Sequence, residues 1–85
     1  MIDNDKMNNA NPIHVGHASM AVIDALQDFP KEIQSLGMAM TFILFCERFG
    51  LRPNEVFLTA QNVMNGVAGK RPEFEAVQSY LAGEL

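Results

Sequence analysis

The sequence contains one cysteine, no tryptophan and no apolar stretch long enough to cross a membrane. A single cysteine excludes an internal disulfide and a four-cysteine zinc site, and it fits a reducing compartment. The longest apolar run, Leu36 to Cys46, is about half of the roughly 20 residues that a membrane span needs. The polar start "MIDNDKMNNANP" has no apolar core of a signal peptide. We therefore expect a soluble, cytoplasmic protein that has no membrane contact.

Positive charge is also scarce. The chain has six Lys and Arg against ten Asp and Glu, which gives a net charge of −4. An acidic chain repels nucleic acid at long range unless its few cations cluster. Four of the six cations fall between positions 48 and 71: Arg48, Arg52, Lys70 and Arg71. Binding to nucleic acid would depend on these four.

The length of 85 residues predicts one small domain. A core of this size contributes only a few kcal/mol of net stability, so oligomerisation is a common supplement. Hydrophobic residues make up 48% of the chain, which is well above a disordered composition. Small acidic domains of this composition are typical of bacterial or phage accessory proteins.

Prolines and glycines divide the chain into helical segments. Pro30, Pro53 and Pro72 each precede a segment of helical period and have glutamate close behind, as expected at helix starts. Glycines stand at the opposite ends, where the left-handed conformation closes a helix. We predict helices near residues 17–28, 31–49, 53–67 and 72–82. The predicted fold class is all-α: a compact bundle of four short helices in a single domain, 13–85, after a disordered N-terminal tail, 1–12.

Three of the predicted helices have apolar residues on one side only, which is typical of helices that cover a core. The exception is the helix at 31–49. Met38, Phe42, Phe45 and Phe49 line one of its faces, and Ile33, Leu36, Met40, Ile43 and Leu44 line most of the rest. A helix that is apolar all round belongs in the middle of a structure. Either it is the central helix of the bundle, or part of it meets another chain.

The stretch "CERFGLRPNEV" predicts a tight corner between two helices and resembles a helix-turn-helix over about residues 42–61. That family favours a small residue four positions before the turn glycine, and aliphatic residues one and six positions after it. Cys46, Gly50, Leu51 and Val56 match this pattern. The resemblance implies a DNA-binding regulator, with the helix after Pro53 in the major groove. Any tight helix corner, however, needs a glycine flanked by buried apolar residues.

The residues available for DNA argue against this reading. Arg52, Asn54 and Gln61 could read base edges, with Arg48, Lys70 and Arg71 on phosphates. The presumed recognition helix, however, contains Glu55 and no Lys or Arg, and it would present Phe57 and Leu58 to the groove. The helix before it is the most apolar in the chain. DNA binding therefore stays the alternative function, and nucleic acid is not the expected partner.

Candidate catalytic and metal-binding residues are few. His14 and His17 are three residues apart, but a metal site needs further ligands, and only distant acids or Cys46 remain. Cys46 lies among apolar residues near the end of a helix, far from the positive helix terminus that lowers a thiol pKa. The sequence has no phosphate-binding glycine loop. We expect no catalysis, no metal and no cofactor.

The favoured function is that of a non-catalytic helical module for protein–protein interaction. Leu58 lies outside the main apolar stripe of its helix, and Phe57 stands beside it. Exposed apolar patches tend to be interaction sites. The predicted partner-binding residues are Phe57, Leu58 and Gln61, together with Met38, Phe42 and Phe45 if their helix is shared between chains. The expected partner is another protein or a second copy of this chain, as a homodimer.

Overall fold

The computed structural model describes residues 4–66 and 68–85 of the chain. In this part, five helices and two short strands follow one another. They are α1 (Asn4–Asn8), α2 (Pro12–Leu26), α3 (Lys31–Phe49), α4 (Pro53–Met64), β1 (Asn65–Gly66), β2 (Gly69–Lys70) and α5 (Pro72–Glu84). The predicted all-α fold class is confirmed, and the four longer helices are the four that were predicted.

The N-terminal end differs from the prediction. Residues 4–8 of the predicted tail form the one-turn helix α1, which lies against α4. The next helix begins at Pro12 instead of residue 17, because the Asn11 side chain accepts a hydrogen bond from the Ile13 N–H at 2.9 Å. An asparagine cap followed by proline is a strong helix start. Gly16 does not interrupt this helix. Residues 1–3 lie outside the described part.

The end of α4 also differs from the prediction. The helix stops at Met64, and Asn65 is extended, with φ −106° and ψ 135°. The strands β1 and β2 then pair antiparallel in a small hairpin, in which Asn65 lies opposite Lys70. Gly69 has φ 114°, a conformation open mainly to glycine. The predicted end at residue 67 lies outside the described residues.

The core lies where α2 and α5 pack together. Its buried residues are Ile23, Val63, Phe74 and Val77, with Val15, Met20, Tyr80 and Leu85 half-buried against them. Gly16 is buried where the two helices meet, and a Cβ there would lie at ordinary van der Waals distance, 3.6 Å, from Cγ2 of Val77. The Tyr80 hydroxyl donates a hydrogen bond to Asp24 Oδ1, which ties the same two helices at their surface.

The α3–α4 corner has the predicted geometry. Gly50 adopts the left-handed conformation with φ 67°, and the Leu51 N–H donates to the Cys46 carbonyl at 2.9 Å. This hydrogen bond, between residues five apart, is that of a Schellman helix end. Glycine is required because a Cβ disfavours positive φ.

The position of α3 corrects one interpretation of the sequence. Only two of its residues are buried, Gln34 and Cys46. Gln34 anchors the start of the helix by donating to the Leu26 carbonyl at 2.8 Å. The helix is therefore not the central helix of the bundle; it lies at the edge, and most of its apolar side chains are exposed. Within the described residues, no helix is both long and apolar enough to span a membrane.

Candidate functional site

The predicted partner-binding residues lie on two neighbouring helices at the surface. Phe57 and Leu58 of α4 have exposed fractions of 57% and 59%. Phe42 of α3 is half-buried, and its ring lies 4.7 Å from the Phe57 ring, centroid to centroid, with the planes tilted by 32°. Aromatic rings at this separation attract each other beyond their burial of area. The contact joins residues of both helices in one surface.

The remaining predicted residues extend this surface in two directions. Gln61 is exposed one turn after Phe57 and Leu58 on α4, so its amide borders the apolar residues. Met38 and Phe45 are exposed one turn before and after Phe42 on α3. We call Met38, Phe42, Phe45, Phe57, Leu58 and Gln61 the aromatic patch.

An open groove between α2 and α3 adjoins the aromatic patch. Its volume is about 550 Å³, which is within the range of small-ligand and peptide sites. Its lining residues are Val22, Ala25, Leu26, Gly37, Met38, Thr41, Phe42 and Phe45. Thr41 has the only polar side chain among them. We call this feature the α2–α3 groove; it was not predicted, because no sequence pattern shows that α3 stands off from α2.

The lining of the groove is apolar apart from Thr41. It has no ionisable side chain to transfer a proton, and therefore no base that would activate the Thr41 hydroxyl as a nucleophile. The Cys46 thiol is fully buried below the corner. His14 and His17 are exposed on α2. Among residues 4–66 and 68–85, no three His, Cys, Asp or Glu come together as a metal site.

The cations of the alternative DNA-binding reading are all exposed, as are Asn54 and Gln61. Three of them have intramolecular partners. Arg52 Nη1 lies 3.4 Å from Glu55 Oε1, the Arg48 guanidinium lies over the Phe49 ring, and Lys70 Nζ donates to a glutamine on α5 at 2.7 Å. Exposed pairs of this type are weak, so the side chains remain able to rearrange. Arg71 stands at the start of α5.

No family model matches this chain, and no curated protein or solved structure matches it either. Function therefore has to be inferred from the chemistry of the surface.

Proposed function

We propose that this protein is a non-catalytic helical module that binds another polypeptide through the aromatic patch and the α2–α3 groove. The observation that carries the proposal is the contact between the Phe42 and Phe57 rings. It joins the half-buried Phe42 of α3 to the exposed Phe57 of α4 in one apolar surface, and contiguous exposed apolar surface marks interaction sites. Phe57 and Leu58 add little to the core, because more than half of each is exposed.

The chemistry of the groove favours an amphipathic helix as the partner segment. Such helices insert apolar side chains, spaced three and four residues apart, into a hydrophobic groove. Met38 lies where the groove meets the aromatic patch, and methionine adapts to differently shaped partners. The net charge of −4 favours a partner helix whose polar face is basic, because opposite charge speeds encounter.

The same groove supports binding without catalysis. General acid–base and nucleophilic catalysis need titratable or nucleophilic side chains within reach of a substrate. The groove contains no titratable side chain, its one hydroxyl, on Thr41, has no base among the lining residues, and the one thiol, Cys46, is fully buried. A free thiol of this kind suits a reducing compartment such as the cytoplasm.

The test is to select helical peptides from a displayed amphipathic library on the full chain and to measure their affinity for two variants. Leu58→Asp places a charge in the aromatic patch, and we expect it to weaken binding by at least about tenfold, because a buried leucine contributes ~1.5–3 kcal/mol. Ile13→Asp is the control: Ile13 is also more than half exposed, at 51%, and it lies on α2 outside both the patch and the groove. The helix content by circular dichroism should be unchanged in both.

Amide chemical shifts complete the test. Shifts confined to the aromatic patch and the groove support the proposal. Selected peptides that bind Leu58→Asp as tightly as the original chain would overturn it. A parallel titration with duplex DNA at low salt tests the alternative: salt-sensitive shifts at Arg48, Arg52, Asn54, Lys70 and Arg71 would show a DNA-binding protein instead.

A further inference from the structure

A second apolar surface lies on α3, formed by residues outside the aromatic patch and the groove. Its members recur three and four residues apart, as in the seam of paired helices. They are Ile33, Leu36, Met40, Ile43 and Leu44, and we call them the outer stripe. Leu36 and Met40 are the most exposed, at 60% and 61%.

The outer stripe faces away from the protein's own core. At roughly 100° per residue, its mean direction is opposite to that of the three α3 residues that are covered: Gln34, Phe42 and Cys46. No charged residue interrupts α3 between Glu32 and Glu47. A surface helix normally has a polar outer face, and this one is apolar on its inner and outer faces alike.

The chain exposes more surface than an ordinary folded monomer of its mass, as expected for a chain that buries part of its surface against a partner. The chain has 6453 Å² of accessible surface at 9.4 kDa, whereas a folded monomer of this mass exposes about 5,000 Å². The difference of about 1,400 Å² belongs to the whole chain, with the aromatic patch and the groove included, and it is large enough to accommodate the ~800 Å² per partner of a standard interface. The shape agrees, since the Cα extents are 35 × 33 × 17 Å, a flat molecule with little depth for a core.

We infer that the outer stripe is the contact surface of a homodimer, in which α3 of one chain packs antiparallel against α3 of a second copy. A twofold axis pairs a surface with itself, so an uninterrupted apolar stripe on one helix is complementary to its own copy.

The charge at the end of the stripe selects the antiparallel arrangement. Glu47 continues the spacing 33, 36, 40, 43 and 47. In a parallel pair, Glu47 would face the Glu47 of the other copy, and like charges in contact repel. In an antiparallel pair centred on Met40, the two Glu47 side chains are at opposite ends of the pair. Each lies opposite Ile33 of the other copy, beside a first turn that carries both Lys31 and Glu32 at the positive end of the helix dipole.

The inference extends the proposed function, because it names a second copy of the chain as one partner of α3, but it concerns the opposite face. The dimer leaves Phe57, Leu58 and the groove open for another polypeptide. The two proposals can therefore fail separately.

The test is sedimentation velocity of the full chain from low micromolar to high micromolar concentration. We expect a dimer, and we expect Met40→Glu to raise its dissociation constant by about a hundredfold or more, since two carboxylates would meet at the axis. Met38→Glu is the matched control, two residues away on the groove side of α3. It should leave the dimer intact and weaken peptide binding instead. Circular dichroism checks that both variants retain their helices.

Each result of these measurements either supports or contradicts the homodimer. A chain that stays monomeric throughout, or a dimer broken by Met38→Glu and not by Met40→Glu, would overturn the inference. Peptide binding that is lost in Leu58→Asp while its dimer persists would separate the two proposals. Cysteine cross-linking tests the relative direction of the two α3 helices. An antiparallel pair is expected to form disulfides between a Leu36→Cys chain and a Leu44→Cys chain. Disulfides formed only between two Leu36→Cys chains would show a parallel pair.

Discussion

Two Val→Ala substitutions, one in the α2–α5 core and one in the α2–α3 groove, test whether the groove is open. Val77 on α5 is 9% exposed and belongs to the core, whereas Val22 on α2 is 48% exposed and lines the groove. Each Val→Ala change removes two methyl groups, worth about 1.6 kcal/mol when fully buried. Both replacements gain about 0.5 kcal/mol of helix propensity, so the difference between them reports burial.

The expected magnitudes differ several-fold. For Val77→Ala, the lost transfer energy and the cavity left behind, less the gain in propensity, give a loss of about 1.5–2.5 kcal/mol. For Val22→Ala, about half of the transfer energy is lost and no cavity forms, which leaves about 0.3 kcal/mol. In a domain of this size 1 kcal/mol shifts Tm by roughly 4–8 °C. Val77→Ala should therefore melt about 6–20 °C lower and Val22→Ala within about 3 °C of the original.

The assay is urea unfolding followed by far-ultraviolet circular dichroism, with all proteins at one concentration because dimerisation makes stability depend on concentration. An equal loss of stability in the two variants would refute the reasoning. It would mean that α3 closes onto Val22 in solution and that the groove is part of the core.

Two further predictions concern the fold that positions these surfaces. The hydrogen bond from Tyr80 to Asp24, with burial and the nearby carboxylates, raises the pKa of Tyr80 from 10.0 to about 12. The stabilisation from this neutral phenol is therefore complete below pH 10 and is lost as the pH rises through 12. Between about pH 10 and 12, the free energy of unfolding should fall less steeply in Tyr80→Phe than in the original chain. Urea titrations at several pH values in this range measure it, and an equally steep fall in both proteins would contradict the prediction. Gly50→Ala should cost about 1–2 kcal/mol, because the left-handed conformation penalises a Cβ, and a neutral result in the same assay would mean that Gly50 does not hold positive φ.

The sequence predicted the boundaries of α3 correctly, because Pro30 stands before it and Gly50 after it, and both act locally on the backbone. The end of α4 could not be predicted in the same way. Asn65 and Gly66 pair with Lys70 and Gly69 in a short ladder. This ladder competes with one more helical turn, and the outcome depends on pairing across the hairpin. The N-terminal start of α2 was missed because the cap at Asn11 was assigned to the tail.

By itself, the sequence determined that the chain is helical, where its longest helix begins and ends, and which side chains on α4 stand outside the apolar stripe. These properties follow from backbone preference and from the period of one helix, which involve only near neighbours. Only the tertiary structure decided which apolar faces are covered. The helix that is apolar all round suited the centre of a bundle, but the α2–α5 core excludes it, because Ile23 of α2 packs with Phe74 and Val77 of α5 instead. That packing leaves α3 at the edge, with one face lining the groove and the other facing outward.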